Sequence, residues 1–365
     1  MTVRVLLDHY VAVNQYFGGI SKYLGEMVSA LPPEGVDPTL FAPLYINHQL
    51  ATLPPQMVWG KRLDIPLPTR KWASALAIGL FPIATRLVRP DVVHETYYAP
   101  RRLAPAKIPI VLTVHDMIHE IFPEQFVNDP ARGFKRTAIN RADHIICVSQ
   151  NTRRDLIQIY PHVADRITVI PLGFAARAYP SRNRVRDRPY IFYVGNRSGY
   201  KNFESLLRAY AQSERLRSDF DLVCGGKPLS AAESAMIKDL GLSADRVVAI
   251  STDDAGLHAL YANADIFVYP SLYEGFGIPP LEAMAADCPV VTVGVSSIPE
   301  ICGNAVDYAE DGSPEALASA IERVLASPSR CTELRQAGRL RLEHFSWQRC
   351  AAETAGVYRQ LSGKN

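Results

Sequence analysis

Short runs of β-branched residues alternate with helical patterns along nearly all of this 365-residue sequence, and no other feature constrains the fold as strongly. A chain that alternates in this way builds parallel βαβ units. Strands are predicted at Val3–Asp8, Thr39–Pro43, Val92–Glu95, Ile110–His115 and His144–Ser149, then at Tyr190–Gly195, Asp221–Gly225, Arg246–Ile250, Ile266–Tyr269 and Val290–Val293. Helices are predicted at Ile20–Leu31, Asn151–Tyr160, Phe203–Ser213, Ser230–Leu240, Leu257–Asn263, Leu281–Ala286 and Pro314–Ala326. The pattern breaks at PLGFAARAYPSRNRVRDRP (171–189), which is rich in Pro, Arg and Ser, and restarts at residue 190. The expected fold class is α/β, with two Rossmann-like domains whose parallel sheets face a central cleft. The first covers 1–172, a linker follows over 173–189, and the second covers 190–345. A last helix, within 346–365, packs back on the first domain. Length suits two such domains. Open parallel sheets bind ligand outside the carboxyl ends of their strands, so the loops there are the ones to search.

Charge and composition narrow the functions. Residues 1–180 hold 19 Lys and Arg against 14 Asp and Glu, and the remainder holds 20 against 23. That asymmetry is too weak for a nucleic-acid binder, and no aromatic-basic interleaving supports one. It fits a first half that touches an anionic surface. No apolar run is expected to be long enough to span a bilayer. Asp8 and His9 interrupt the N-terminal apolar stretch and make it a poor signal peptide, so a cytoplasmic location is expected. Cys147, Cys224, Cys288, Cys302, Cys331 and Cys350 lie far apart, without metal-ligand spacing, and read as free thiols.

Four loops carry chemistry. The first is YEGFGIPPLEAMA (273–285), after the strand DIFVYPS. Pro279-Pro280 starts a helix, and Gly275 and Gly277 free the backbone before it. A glycine loop at a helix N-terminus is an anion site suited to a diphosphate. Glu274 on the loop and Glu282, read in the first helical turn, are acceptor-only groups that match hydroxyls at either end of a nucleotide sugar. The plain alternatives are helix N-terminal capping for Glu282 and a solvated loop for Glu274.

The second loop is YVGNRSGYKN (193–202), where a strand ends at Gly195. Arg197 and Lys201 can hold a leaving diphosphate there, or simply be exposed loop cations. In QYFGGISKY (15–23), Gly18-Gly19 permit close backbone approach to a ligand; a tight turn explains them equally, and the dinucleotide fingerprint GxGxxG is missing. The fourth loop, VLTVHDMIHE (111–120), aims His115 and Asp116 off a strand end, where His115 can hydrogen-bond a sugar hydroxyl and Asp116 can hold it or meet the acceptor. Asp253-Asp254 reads as a helix N-cap rather than a metal loop, and no metal or other cofactor is expected.

In this order, the four elements resemble the retaining glycosyltransferases of family 4, which have the GT-B fold. PSLYEGFGIPPLEAMA is the most specific piece, and ADHIICVSQNTRRDL, SSIPEICGNA and FSWQRCAAET are similar to family segments. The resemblance implies that Arg197 and Lys201 grip the diphosphate and Glu282 binds ribose hydroxyls. It implies that Glu274 and the Phe276-Gly277-Ile278 backbone hold the donor sugar, that His115 contacts it from the opposite domain, and that Gly18-Gly19 line the phosphate and acceptor side. Gly195 belongs to the same donor-binding set. Asp287 departs from the pattern, which usually has Gly there. Attack by the acceptor on the face the nucleotide leaves, without a protein nucleophile, is the implied course.

YYAPRRLAP followed by TVHDMIHEIFP is similar to bacterial mannosyltransferases of O-antigen and surface polysaccharide assembly. GDP-mannose or a GDP-linked relative is therefore the expected donor, with UDP-hexoses next. The expected acceptor is a glycan or lipid-linked oligosaccharide at the inner face of the cytoplasmic membrane. Arg70, Lys71, Arg86 and Arg89 stand at the ends of the apolar stretch Trp72–Leu87, which reads either as an amphipathic surface helix or as an internal helix with charged ends. A nucleotide-sugar epimerase and a non-catalytic binding protein are the competing readings of the same scaffold.

Overall fold

A computed structural model describes residues 1–66, 69–176 and 185–364. The chain divides into two compact units, Met1–Gly173 together with Phe345–Asn365, and Phe174–His344. Of the expected linker, residues 177–184 lie outside the described residues.

The first unit holds seven strands: β1 (Val3–Leu7), β2 (Val36–Tyr45), β3 (Val58–Arg62), β4 (Val92–Glu95), β5 (Ile110–Val114), β6 (His144–Cys147) and β7 (Ile167–Val169). They form one parallel sheet in the order β3-β2-β1-β4-β5-β6-β7. Strands β4, β5 and β6 are buried along their whole length, as a parallel sheet covered on both faces requires. The order reverses between β1 and β4, so the crevice lies outside the ends of β1, β4 and β5. The helix Trp347–Ser362 packs on the helix Gly19–Ala30 and on β1 and β4. Its Tyr358 hydroxyl meets His94 Nδ1 at 2.5 Å, and Lys364 bonds Asp91 at 2.7 Å. Gly173 lets the chain pass this helix, because a Cβ there would stand 2.5 Å from Trp347.

The second unit holds β8 (Tyr190–Val194), β9 (Asp221–Gly225), β10 (Val247–Ile250), β11 (Ile266–Tyr269), β12 (Val290–Val293) and β13 (Asp307–Ala309). Its parallel sheet runs β10-β9-β8-β11-β12-β13, reversing between β8 and β11. Leu206, Leu207, Leu317, Ile321 and Val324 of the covering helices bury against Ile191, Val268 and Val291 of the sheet. Ser213, Ser230, Asp253 and Ser313 cap helices by accepting a backbone N–H three residues on.

Three strands escape the sequence reading: β3, β7 and β13 are short and stand at sheet edges or ends, where alternation is weak. The helix Arg70–Val88 is a correction of a different kind. With 19 residues and a mean hydropathy of 1.2, it is long and apolar enough to cross a membrane by length and composition. A search for uninterrupted apolar runs passes over it because Ser74, Gly79, Pro82 and Thr85 break the run. All six cysteines are free, as expected.

Candidate active site

In the second unit the loops that leave β8 and β11 flank the point where strand order reverses. Gly195 leaves β8 at φ 134°, a conformation that favours glycine. One 3₁₀ turn follows (Gly199–Lys201), and Asn202, itself left-handed at φ 56°, is anchored by its side-chain amide, which donates to Gly312 O at 2.8 Å. This geometry turns Lys201 onto the second loop. Its Nζ lies 2.6 Å from Glu274 Oε1, and the Tyr269 hydroxyl donates to the same oxygen at 2.5 Å. The Lys201 and Glu274 side chains are only 17% and 12% exposed. Leu272 N donates to Tyr200 O at 2.8 Å and ties the loops together.

The YEGFG loop is fastened from behind by two serines that the sequence reading missed. Glu274 N donates to Ser296 Oγ, and Ser297 Oγ bonds the carbonyls of Glu274 and Phe276, each at 2.9 Å. Gly277 caps the helix Ile278–Ala285 at φ 105°, and a Cβ there would stand 2.8 Å from Ile298 Cδ1. The positive φ is what requires glycine. Phe276 is buried beside it. Because the helix starts at Ile278, Glu282 sits in its second turn and not, as expected, in the first. Capping is thereby removed as an explanation. The Tyr261 hydroxyl donates to Glu282 Oε2 at 3.3 Å.

Arg197 is engaged elsewhere on this unit. Its Nε and Nη2 reach Glu233 at 2.6 and 3.3 Å, and Nη2 also donates to Pro228 O at 2.8 Å. Burial opposes ionisation of Glu233, but the hydrogen bonds from Arg197 and Ser230 outweigh it and hold the carboxyl below its usual range. The signal for Glu233 was legible: Ser230-x-x-Glu233 spells a capping box, and both of its bonds form. Asp287, at φ 54°, occupies a left-handed position, a conformation that favours glycine. Its carboxylate is clamped by Arg339 through two bonds of 2.7 Å.

In the first unit, His115 is 8% exposed, and its Nε2 lies 3.1 Å from the carbonyl of Thr96. A carbonyl only accepts, so the ring proton sits on Nε2 and Nδ1 keeps its lone pair. Burial lowers the pKa and holds the ring neutral. The Tyr23 ring meets it edge-on at 5.4 Å. Asp116 turns back towards Ile118 N (3.2 Å) and the buried Lys135 (3.4 Å). Lys135 bonds Glu120 more closely, at 2.8 Å. Gly18 and Gly19 are exposed at the N-terminus of the helix Gly19–Ala30; Gly18 is extended, and its carbonyl accepts from Ser21 Oγ at 2.9 Å.

Asp8 is the group here that sequence reasoning missed as a site residue. It follows β1, is fully buried, and accepts from Thr96 Oγ1 at 2.7 Å, so Thr96 joins it to His115. Asp8 Oδ2 has no hydrogen-bond partner among the described residues. Burial first, and the nearby Glu95 carboxylate, push its pKa up to about 7. Its place at a strand's carboxyl end was the available signal.

Known proteins share both units. Residues 17–177 match the model described as Glycosyltransferase Family 4, and residues 177–341 match Glycosyl transferases group 1. The O-antigen chain mannosyltransferase B of Escherichia coli is 30% identical over 285 residues, 73% of either chain. Among solved structures, the sucrose-phosphate synthase of Thermosynechococcus elongatus superposes with a TM-score of 0.79 at 22% identity, covering 100% of both chains. Anabaena HepE, solved in complex with UDP-glucose, gives 0.75 at 19% identity, covering 98% of this chain and 99% of its own. Two Rossmann-like units, a family match on each, and a relative at this identity and coverage establish that the chain belongs to the family 4 glycosyltransferases of GT-B fold.

Proposed function

We propose that the chain transfers a mannosyl group from GDP-mannose to a hydroxyl of a glycan or lipid-linked oligosaccharide of surface polysaccharide assembly, at the inner face of the cytoplasmic membrane. The observation that carries the reading is the meeting of Lys201 and Glu274 beside the glycine-capped start of the helix Ile278–Ala285. The E. coli relative, a mannosyltransferase by name, supports the sugar.

Lys201 and Arg197 each rest on a carboxylate of their own unit, at 2.6 Å in both cases. A diphosphate offers the same charge-assisted acceptors, with more charge and more oxygens. It takes Lys201 and Arg197 as partners, and the Gly277 and Ile278 peptide N–H groups at the helix start, ahead of Pro279 and Pro280, which have none, complete its cradle. Glu274, released from Lys201 but kept in place by Tyr269 and the two serines, accepts from donor-sugar hydroxyls. Glu282 accepts from the ribose. His115, neutral and with Nδ1 free to accept, takes a sugar hydroxyl without adding positive charge. Gly195, Phe276, Gly277 and Ile278 hold donor through backbone, Gly18 and Gly19 line the acceptor side, and Asp116 stands near it.

No protein carboxylate is assigned as a nucleophile. The acceptor oxygen attacks the anomeric carbon on the face the nucleotide leaves, the glycosidic C–O bond to phosphate breaks, and the departing phosphate takes the acceptor proton. Configuration is retained. Catalysis is orientation together with stabilisation of the leaving diphosphate, whose charge Lys201 and Arg197 meet without a metal ion.

Incubation with GDP-mannose, with UDP-glucose, and with each in the absence of acceptor tests this reading. Acceptor-dependent product from GDP-mannose, with an α-linkage by NMR, is expected. Sugar interconversion without acceptor would establish an epimerase instead, and an inverted linkage would remove the same-face course.

A further inference from the structure

The helix Arg70–Val88 has two apolar faces, and only one of them is used inside the protein. Ala73, Ala77, Phe81, Ala84 and Thr85 are buried, with Phe81, Ala77 and Ala84 packed in a cluster with Leu6, Phe41 and Val93. The opposite side carries Trp72, Leu76, Ile83 and Leu87, which are 77%, 44%, 49% and 66% exposed. Their offsets of 4, 11 and 15 residues from Trp72 fall within about 60° around an ideal helix, so they form one stripe. Ala75, Gly79 and Pro82 are exposed as well and leave nothing polar in its middle. Tyr16 and Phe17, 39% and 64% exposed, extend the apolar surface by the first turn, where the Arg70 guanidinium lies 4.5 Å over the Tyr16 ring.

Charge frames the stripe. From 65 to 90 the sequence has Arg70, Lys71, Arg86 and Arg89 and no acidic residue, and 72–85 carries no charge at all. Apolar side chains centred between cations fit a surface that is anionic outside and hydrocarbon within. A protein partner of this chemistry would need an apolar groove with acidic rims; a bilayer offers both properties everywhere. Crossing the membrane would require stripping Ala77, Phe81 and Ala84 from the sheet, so the helix lies in the plane of the interface.

We infer that the exposed face of the helix Arg70–Val88 seats the first unit on an anionic phospholipid surface, with Trp72, Leu76, Ile83 and Leu87 in the acyl boundary and Lys71, Arg86 and Arg89 on the headgroups. The inference deepens the proposed membrane-held acceptor, yet lipid binding needs neither donor nor acceptor, so either idea can fail alone.

The test is co-sedimentation of the full chain with vesicles of 3:1 phosphatidylcholine and phosphatidylglycerol, and with pure phosphatidylcholine. Binding to the anionic vesicles is expected, weakened by 0.5 M salt and accompanied by a blue shift of tryptophan emission that Trp72→Phe removes. Lys71→Gln, Arg86→Gln and Arg89→Gln together should weaken it about a hundredfold, at roughly fivefold per cation. Leu76→Ser with Leu87→Ser should abolish binding while circular dichroism and transfer to a soluble acceptor stay unchanged. Wild-type protein left in the supernatant overturns the inference. So does equal binding by the serine variant, a dimer that masks the stripe, or retention on natural membranes after a high-pH carbonate wash, which would indicate a spanning helix.

Discussion

Replacing Lys201 separates a structural ion pair from a catalytic one. Lys201 Nζ lies 2.6 Å from Glu274 Oε1, and both side chains are more than four-fifths buried. Lys201→Ala leaves that carboxylate poorly solvated, though not bare, because the Tyr269 hydroxyl still donates to it at 2.5 Å. A fully buried charge stripped of its partner costs about 3–5 kcal/mol; with one donor kept and some solvent contact, about 2 kcal/mol is expected here. In Lys201→Ala/Glu274→Gln the stranded charge is gone, and most of that loss should return. Activity should behave differently. Loss of one preorganised group facing the leaving diphosphate lowers kcat by about 10²–10³, and neutralising its neighbour restores none of it. The assay pairs urea melts with initial rates of acceptor-dependent product formation for wild type, both single variants and the double variant. Stability recovered without activity supports the leaving-group role. Activity above a tenth of wild type in Lys201→Ala, or activity rescued in the double variant, refutes it.

Three further outcomes follow from the same structure. Asp8 stays protonated in the folded chain up to about pH 7 but ionises near ~4 when unfolded. Folding therefore takes up a proton between those values and loses stability as pH rises, by at most roughly 4 kcal/mol above pH 7. Urea melts of Asp8→Asn should gain on wild type from pH 4 to pH 8, and a constant offset would refute the buried neutral acid. Asp287 holds a left-handed turn with Arg339 as its clamp, so Asp287→Ala, which loses the clamp and keeps the Cβ strain, should be about 1–2 kcal/mol less stable than Asp287→Gly, which loses the clamp but sheds that strain; equal stability of the two variants in urea melts would count against strain. Transfer should persist in EDTA, and loss restored by a divalent ion would show that Lys201 and Arg197 do not suffice.

The sheets were legible because their central strands are buried and strongly β-branched: β4, β9, β11 and β12 fall where the sequence puts them. Helices with one apolar face were equally plain, as at Phe203–Gln212. The helix Pro328–Leu342 was not, since it buries only Leu334 and Gly338 and carries no apolar periodicity. Arg70–Val88 was ambiguous for the opposite reason, being apolar on both faces. In the site, loop chemistry named Lys201, Glu274 and Gly277. Pairing stayed hidden, because Lys201 meets Glu274 across 73 positions and Arg197 meets Glu233 across 36. Ser296 and Ser297 open the family-like segment SSIPEICGNA, but they act only through the loop they fasten, across more than 20 positions, and the segment does not reveal that contact.

The central claim is that a diphosphate exchanges places with the two carboxylates, and a crystal structure of the chain with GDP-mannose addresses it most directly. The claim requires phosphate oxygens within hydrogen-bond distance of Lys201 Nζ, the Arg197 guanidinium and the Gly277 or Ile278 peptide N–H at the start of the helix Ile278–Ala285. Nucleotide bound elsewhere, with the Lys201–Glu274 and Arg197–Glu233 pairs both intact, would contradict it.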